Sequence, residues 1–200
     1  MHEYLLPLHM IYAFSPLITV LFLIPCILFQ RRKYGKIVPF RMVMMYLFLL
    51  YLIGAYFYII TPLPSFEYVL ENPLPLRIQL HPLAFAYDFK EQAYWVLAGI
   101  GEVNISHSAW FQVMGNIILL FPFGFYLNYY FRRALPQTAL FSFLLSLFFE
   151  LTQLTALYGF YPAPYRIFDI NDLMFNTLGG VLGYYATPYI KRLLHLPHIS

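Results

Sequence analysis

Charge and cysteine are what this sequence has least of. Only 10% of its 200 residues are charged, against about 25% in soluble proteins. Twelve Lys and Arg and nine Asp and Glu are too few to cover the surface of a soluble domain of this size. The formal net charge is only +3, with no aromatic-interleaved basic stripe, which argues against nucleic-acid binding. The single cysteine, Cys26, excludes an internal disulfide and a four-cysteine zinc site.

Apolar residues, by contrast, make up 61% of the chain and occur in long runs. A helix needs about 20 such residues to cross a bilayer. Five stretches are long enough: 10–29, 42–62, 110–131, 135–158 and 171–190. Glu150 interrupts the fourth stretch, and Asp172 lies at the edge of the fifth. We therefore predict an all-α integral membrane protein, a bundle of five transmembrane helices.

The basic residues predict the orientation of this bundle. Nine of the twelve follow the first, third and fifth stretches, and so lie on one side: Arg31, Arg32, Lys33, Lys36, Arg41, Arg132, Arg133, Lys191 and Arg192. Lys and Arg accumulate on the cytoplasmic side of membrane proteins. We therefore expect the N-terminus outside and the C-terminus in the cytoplasm.

The whole chain is predicted to form one membrane domain. It comprises an N-terminal helical hairpin (1–62), an extracellular segment (63–109) and a core of three helices (110–192). The first half of the extracellular segment contains four prolines, which exclude a long helix: Pro64, Pro73, Pro75 and Pro82. The second half predicts an amphipathic helix at about 88–100.

Polar residues inside three of the predicted spans need partners, because lipid cannot hydrogen-bond to them. At 1.5 Å per residue from each span's middle, Asn116, Glu150 and Asn176 all lie roughly 5–7 Å toward the outer side. Helical spacing places Gln153 on the face of Glu150, and Asp172 on that of Asn176. This agreement predicts one polar pocket that opens outward. The amides are equally compatible with plain interhelical hydrogen bonds.

Small residues on the fifth span predict where it packs. Gly179-x-x-x-Gly183 is a spacing that lets the backbones of apolar helices approach closely. On the third span, Gln112 and Asn116 are one helical turn apart and share a face. We expect the glycines to bring the polar face of the fifth span against a neighbouring helix.

The loop before the fifth span allows two interpretations. Asp169 lies where an N-cap residue is expected, and Asp172 follows three residues later, as in a capping box. In this interpretation Arg166 simply pairs with Asp169. In the other, Arg166 supplies the countercharge for buried Glu150, and Asp172 takes part in catalysis. Glu150 favours a functional role, because an ionisable acid inside a span otherwise needs a dedicated partner.

Taken together, these residues resemble a known family pattern. It reads Gly115-Asn116, Phe121-Pro122-x-Gly124, Glu150-x-x-Gln153 and Arg166-x-x-Asp169-x-x-Asp172-x-x-x-Asn176-x-x-Gly179-Gly180-x-x-Gly183. Over roughly residues 110–190 the chain is similar to the VanZ-like family of bacterial membrane proteins. The resemblance implies a multi-pass protein of the bacterial cell membrane, associated with Gram-positive cell envelopes. It also implies a connection with low-level resistance to teicoplanin, a lipoglycopeptide antibiotic.

Two functions of different classes fit these residues. The first is a membrane enzyme acting on a lipid-like or lipid-linked substrate, with Glu150 as a general acid or base. Asp172 is then the second catalytic residue, which either pairs with Glu150 as a second carboxylate or orients Arg166. The candidate substrate-binding residues of this enzyme are Asn116, Gln153, Arg166, Asp169 and Asn176. The second is a non-catalytic protein that binds a membrane lipid, a lipid-linked envelope precursor or a lipoglycopeptide, or that acts as a scaffold. No metal or nucleotide motif is present, so no metal or cofactor is predicted.

Overall fold

The computed structural model describes residues 8–60, 63–72, 78–82 and 109–197. These residues are mostly helical, and each of the five predicted stretches coincides with a long helix. The helices are α1 (Leu8–Tyr34), α2 (Pro39–Ile60), α3 (Phe66–Glu71), α4 (Ala109–Tyr129), α5 (Leu135–Leu154) and α6 (Ile170–Leu193). The strands are β1 (Ile78–Gln79) and β2 (Phe168–Asp169). The amphipathic helix predicted at 88–100 falls outside the described residues.

Three of the described helices are long and apolar enough to cross a membrane. They are α2, α4 from Phe111 onward, and α5, with mean hydropathies of 2.1, 1.3 and 1.3. Helix α6 has the length, but Asp172, Asn176 and its glycines make it less apolar. The chain is therefore a membrane protein.

The chain divides into two compact units, and the first contains α1–α3 and the turn 155–165. Helix α1 packs along α2. The six-residue α3 is the only helix among the described residues 63–72 and 78–82 of the proline-rich segment. Ser65 caps α3 by accepting a hydrogen bond from the Tyr68 N–H. The Tyr161 hydroxyl donates to the Pro64 carbonyl, and its ring lies 4.9 Å from that of Phe66.

Helix α5 ends at Leu154, four residues before the end of the predicted stretch. The reason is a left-handed turn over residues 156–159, whose φ angles are 51°, 55°, 58° and 85°. Only Gly159 adopts such angles without steric cost. The Tyr161 N–H closes the turn on the Ala156 carbonyl at 3.0 Å. Composition alone does not reveal this turn, because its residues are as apolar as those of the helix.

The second unit contains α4–α6 and the two strands. A Cβ added at Gly179 would lie 2.1 Å from the Ile117 carbonyl oxygen, and one at Gly183 2.0 Å from that of Phe121. These short distances confirm the predicted close approach and identify α4 as the neighbour. Gly180 fits as tightly, because its added Cβ would lie 2.0 Å from the Ser142 hydroxyl of α5.

Strands β1 and β2 form a short parallel pair, and β2 leads directly into α6. Ile78 pairs with Phe168, and Gln79 pairs with Asp169. Just beyond β1, the His81 carbonyl accepts a hydrogen bond from the Asn171 side chain at 3.4 Å. The segment 78–82 is thereby held against the N-terminus of α6.

Candidate active site

Asp172 is the centre of the polar contacts in the second unit. It occupies the third position of α6, from which a capping-box side chain would reach back to the N-cap backbone. Its carboxylate instead accepts hydrogen bonds from the amides of Gln112, at 3.0 Å, and Asn116, at 2.5 Å. Both amides belong to α4 and are one turn apart. Asp172 therefore joins α6 to α4, and the capping-box interpretation of its side chain is wrong.

Glu150 takes over the contact that a capping box would have made. Its side chain is 4% exposed, and Oε2 accepts the Asp169 backbone N–H at 3.1 Å. The Glu150 carboxyl also lies close enough to the Asp172 carboxyl for the two to interact electrostatically. Two carboxyls from different helices are thus brought side by side.

Asp169 is the N-cap of α6, as the sequence predicts. Its Oδ1 accepts the Asn171 backbone N–H at 2.9 Å and the Asn171 side-chain amide at 2.8 Å. Asn171 is buried, and sequence reasoning missed it. Its position two residues after a predicted N-cap Asp was the available signal, since an N-cap side chain accepts from the second or third helical N–H.

Asn176 lies deeper in the interface between α5 and α6. Its Nδ2 donates to the Ser146 hydroxyl at 2.9 Å, and that hydroxyl donates to the Asp172 backbone carbonyl at 3.4 Å. The Asn176 Oδ1 is buried and has no hydrogen-bond partner in the described part of the chain. Asn176 therefore makes an interhelical contact, whereas Asn116 contacts a carboxylate directly.

The two remaining candidate residues are Arg166 and Gln153. Arg166 is exposed, and no carboxylate of the described residues lies within ion-pair distance of it, although Asp172 is close enough to feel its charge. It is therefore not the direct countercharge of Glu150. Gln153 is buried on α5, one turn beyond Glu150.

We call Gln112, Asn116, Glu150, Asp169 and Asp172 the carboxyl cluster. Its hydrogen-bond donors are all neutral: two side-chain amides from α4, the Asn171 amide and backbone N–H groups. Among the described residues, no three His, Cys, Asp or Glu side chains are arranged to hold a metal ion. The cluster orients two neighbouring carboxyls precisely, and such a pair can hold and pass on a proton.

A comparison with known protein families finds a match to this chain. The family model described as VanZ/LLP1 matches residues 48–192. The chain belongs to the VanZ-like family. The match is longer than the resemblance seen in the motifs, since it begins within α2, and it contains every member of the carboxyl cluster. No curated protein and no solved structure matches this VanZ-like chain.

Proposed function

We propose that this VanZ-like protein crosses the bacterial cell membrane five times, with its N-terminus outside and its C-terminus in the cytoplasm. Nine of its twelve basic residues support this orientation, because they follow the first, third and fifth long helices. The carboxyl cluster then lies in the outer half of the membrane. Reporter fusions test the topology: a fusion at Gly35 should report the cytoplasm, and an external signal there would reverse the orientation.

The function that the geometry supports best is acid–base chemistry on a lipid-like or lipid-linked substrate. The observation that carries it is the pair of neighbouring carboxyls, buried Glu150 and half-buried Asp172, which accept hydrogen bonds from neutral donors on α4 and at the start of α6. A purely structural polar contact needs one donor and one acceptor. Here Asp172 is held by two amides while a second carboxyl lies beside it. An arrangement of this kind fixes where a proton is taken up and released.

Each residue then has a distinct role. Asp172, anchored by Gln112 and Asn116, is the oriented carboxylate, and Glu150 beside it is the general acid or base. Arg166 is exposed near Asp172 and is the group that can bind an anionic part of the substrate, such as a phosphate or carboxylate. Asn176 keeps α5 and α6 in register below the pair. In the cell envelope, such a protein would act on a lipid-linked precursor and so confer low-level teicoplanin resistance.

Glu150→Gln tests the enzymatic role. The substitution keeps the shape and the acceptor for the Asp169 N–H, but it removes proton transfer, which typically contributes 10²–10⁴-fold to a rate. We expect lipid-linked envelope intermediates, measured by mass spectrometry, to change as in a deletion strain, and teicoplanin susceptibility to rise to the deletion level. Thr187→Ser is the matched control, since it alters a buried polar side chain of α6 that lies outside the carboxyl cluster.

A second candidate function is a non-catalytic binder or scaffold. The observation favouring it is that the same contacts join three helices, from Gln112 and Asn116 on α4 through Asp172 on α6 to Ser146 on α5. A binder would keep most of its function in Glu150→Gln, because shape and hydrogen bonding are preserved. If the folded Glu150→Gln protein fully restores a deletion strain, the enzymatic proposal is wrong and the binder remains.

A further inference from the structure

Helices α4 and α6 end in a shared layer at the side of the second unit opposite the carboxyl cluster. Asn128, near the end of α4, donates through its side chain to the Tyr184 carbonyl of α6 at 3.5 Å. The Tyr129 hydroxyl donates to the Pro197 carbonyl at 2.7 Å, and Lys191 Nζ lies 5.9 Å from the centre of the Tyr129 ring. These contacts hold the turn after α4 beside the end of α6.

Four basic residues are concentrated in this layer. Arg132 and Arg133 follow α4 directly, and Lys191 and Arg192 occupy the last turn of α6. The three arginines are exposed. No Asp or Glu occurs in the neighbouring stretches 127–137 and 184–197. The layer is therefore a concentrated positive surface.

Backbone N–H groups supply caps at the ends of both helices. Arg132 and His195 adopt left-handed φ angles of 54° and 48°, and so turn the chain back. The Arg132 N–H then bonds to the Asn128 carbonyl at 3.1 Å, and the Leu196 N–H bonds to that of Lys191 at 3.0 Å. Such turns supply donors to the last carbonyls of a helix. These caps are therefore made by the backbone itself.

The positive surface adjoins an apolar face of α6. Tyr185, Tyr189 and Leu193 follow one another at four-residue spacing and are 55%, 77% and 77% exposed. Arg192 is on the same side of the helix. Exposed tyrosines within two turns of a basic residue on one helix face are typical of the membrane–water interface, where long basic side chains extend toward the lipid head groups.

We propose that this layer binds the phosphate-bearing head group of an anionic phospholipid through Arg132, Arg133 and Arg192, with Tyr185, Tyr189 and Leu193 against its acyl chains. The occupant is a membrane lipid, because the apolar stripe continues directly from the cationic surface. The competing explanation is that the cations only offset the negative C-terminal ends of the two helix dipoles. That explanation requires positive charge but no lipid.

Native mass spectrometry of the full-length protein in detergent, titrated with dioleoylphosphatidylglycerol or dioleoylphosphatidylcholine, distinguishes the two. The decisive variant replaces Arg132, Arg133 and Arg192 by Gln, and its matched control replaces the same three residues by Lys. We expect phosphatidylglycerol affinity to fall about fivefold for each cation removed. Phosphatidylcholine binding should stay unchanged, and the Lys variant should stay close to the parent.

Three results would overturn the proposal. The first is a Gln variant that binds phosphatidylglycerol as tightly as the parent. The second is equal loss for both lipids, which would show that the arginines do not recognise the anionic head group. The third is displacement of the lipid by inorganic phosphate at similar concentration, which would identify a free-anion site. If the triple variant does not fold, Arg192→Gln alone should still show a fivefold loss, and an unchanged affinity there counts equally against the proposal.

Discussion

Adding a single methyl group at Gly183 should force α6 away from α4. The Cβ of Gly183→Ala would lie 2.0 Å from the Phe121 carbonyl oxygen and 2.9 Å from the Phe125 backbone nitrogen. Ordinary contact begins at 3.4 Å, so the helices must separate by more than 1 Å at this point. Neither neighbour can move aside alone, because both are backbone atoms of a continuous helix.

The expected magnitude comes from two opposing effects. Overpacking a well-packed site typically costs about 1–3 kcal/mol. Alanine also favours the helix over glycine by about 0.5–1 kcal/mol. The net loss of unfolding free energy for Gly183→Ala should therefore be about 1–2 kcal/mol, and Gly183→Leu should lose more.

Gly115 provides a matched control on α4. An added Cβ there meets no described atom within 4 Å, so Gly115→Ala should keep only the helix-forming gain. Unfolding free energies from dodecyl sulfate titrations in mixed micelles should rise slightly for Gly115→Ala and fall for Gly183→Ala. If both variants shift equally, α6 does not approach α4 at Gly183, and the packing argument is refuted.

Two further predictions concern the loops. Asn171→Ala removes the side-chain hydrogen bonds to Asp169 and His81, so the free energy of unfolding should fall by about 1–3 kcal/mol. Amide exchange at residues 78–82, measured by mass spectrometry, should become faster, and unchanged exchange would contradict this prediction. Burial raises the pKa of Tyr161 above its ordinary value. The contribution of the neutral Tyr161 phenol to folding stability is therefore complete below about pH 10 and is lost above it, because the phenol ionises more readily in the unfolded state. Tyr161→Phe also loses the bond to Pro64, yet its melting temperature should fall less steeply above pH 10 than the parent's; identical slopes would contradict the assignment.

The positions of the long helices and the glycine contact could be predicted from sequence because each depends on local spacing. A run of about 20 apolar residues has few ways to satisfy its backbone in lipid other than a helix. Gly179 and Gly183, four residues apart on one face, permit close approach whichever helix is the neighbour. The N-cap at Asp169 was likewise predictable, because capping depends on the three residues that follow.

What the sequence could not decide was which distant group each polar side chain would meet. Asp172 fitted a capping box as well as a site, and the spacing to Asp169 is the same in both cases. Two distant groups decide between these interpretations. Helix α4, sixty residues earlier, supplies the two amides that bind Asp172, and Glu150 on α5 accepts the Asp169 N–H in place of Asp172.

The other features of this protein divide in the same way between those predicted from local sequence and those decided by tertiary packing. Composition and periodicity determined that this is an apolar, helical membrane protein with acids at one end of its core and cations at the other, because both are properties of the chain itself. Only tertiary structure determined that Asp172 turns to Asn116, that Arg166 stays exposed, and that α5 ends in a left-handed turn at Ala156. Each of these is a choice between rotamers or backbone angles of similar intrinsic energy, and packing against residues far away in the chain decides it.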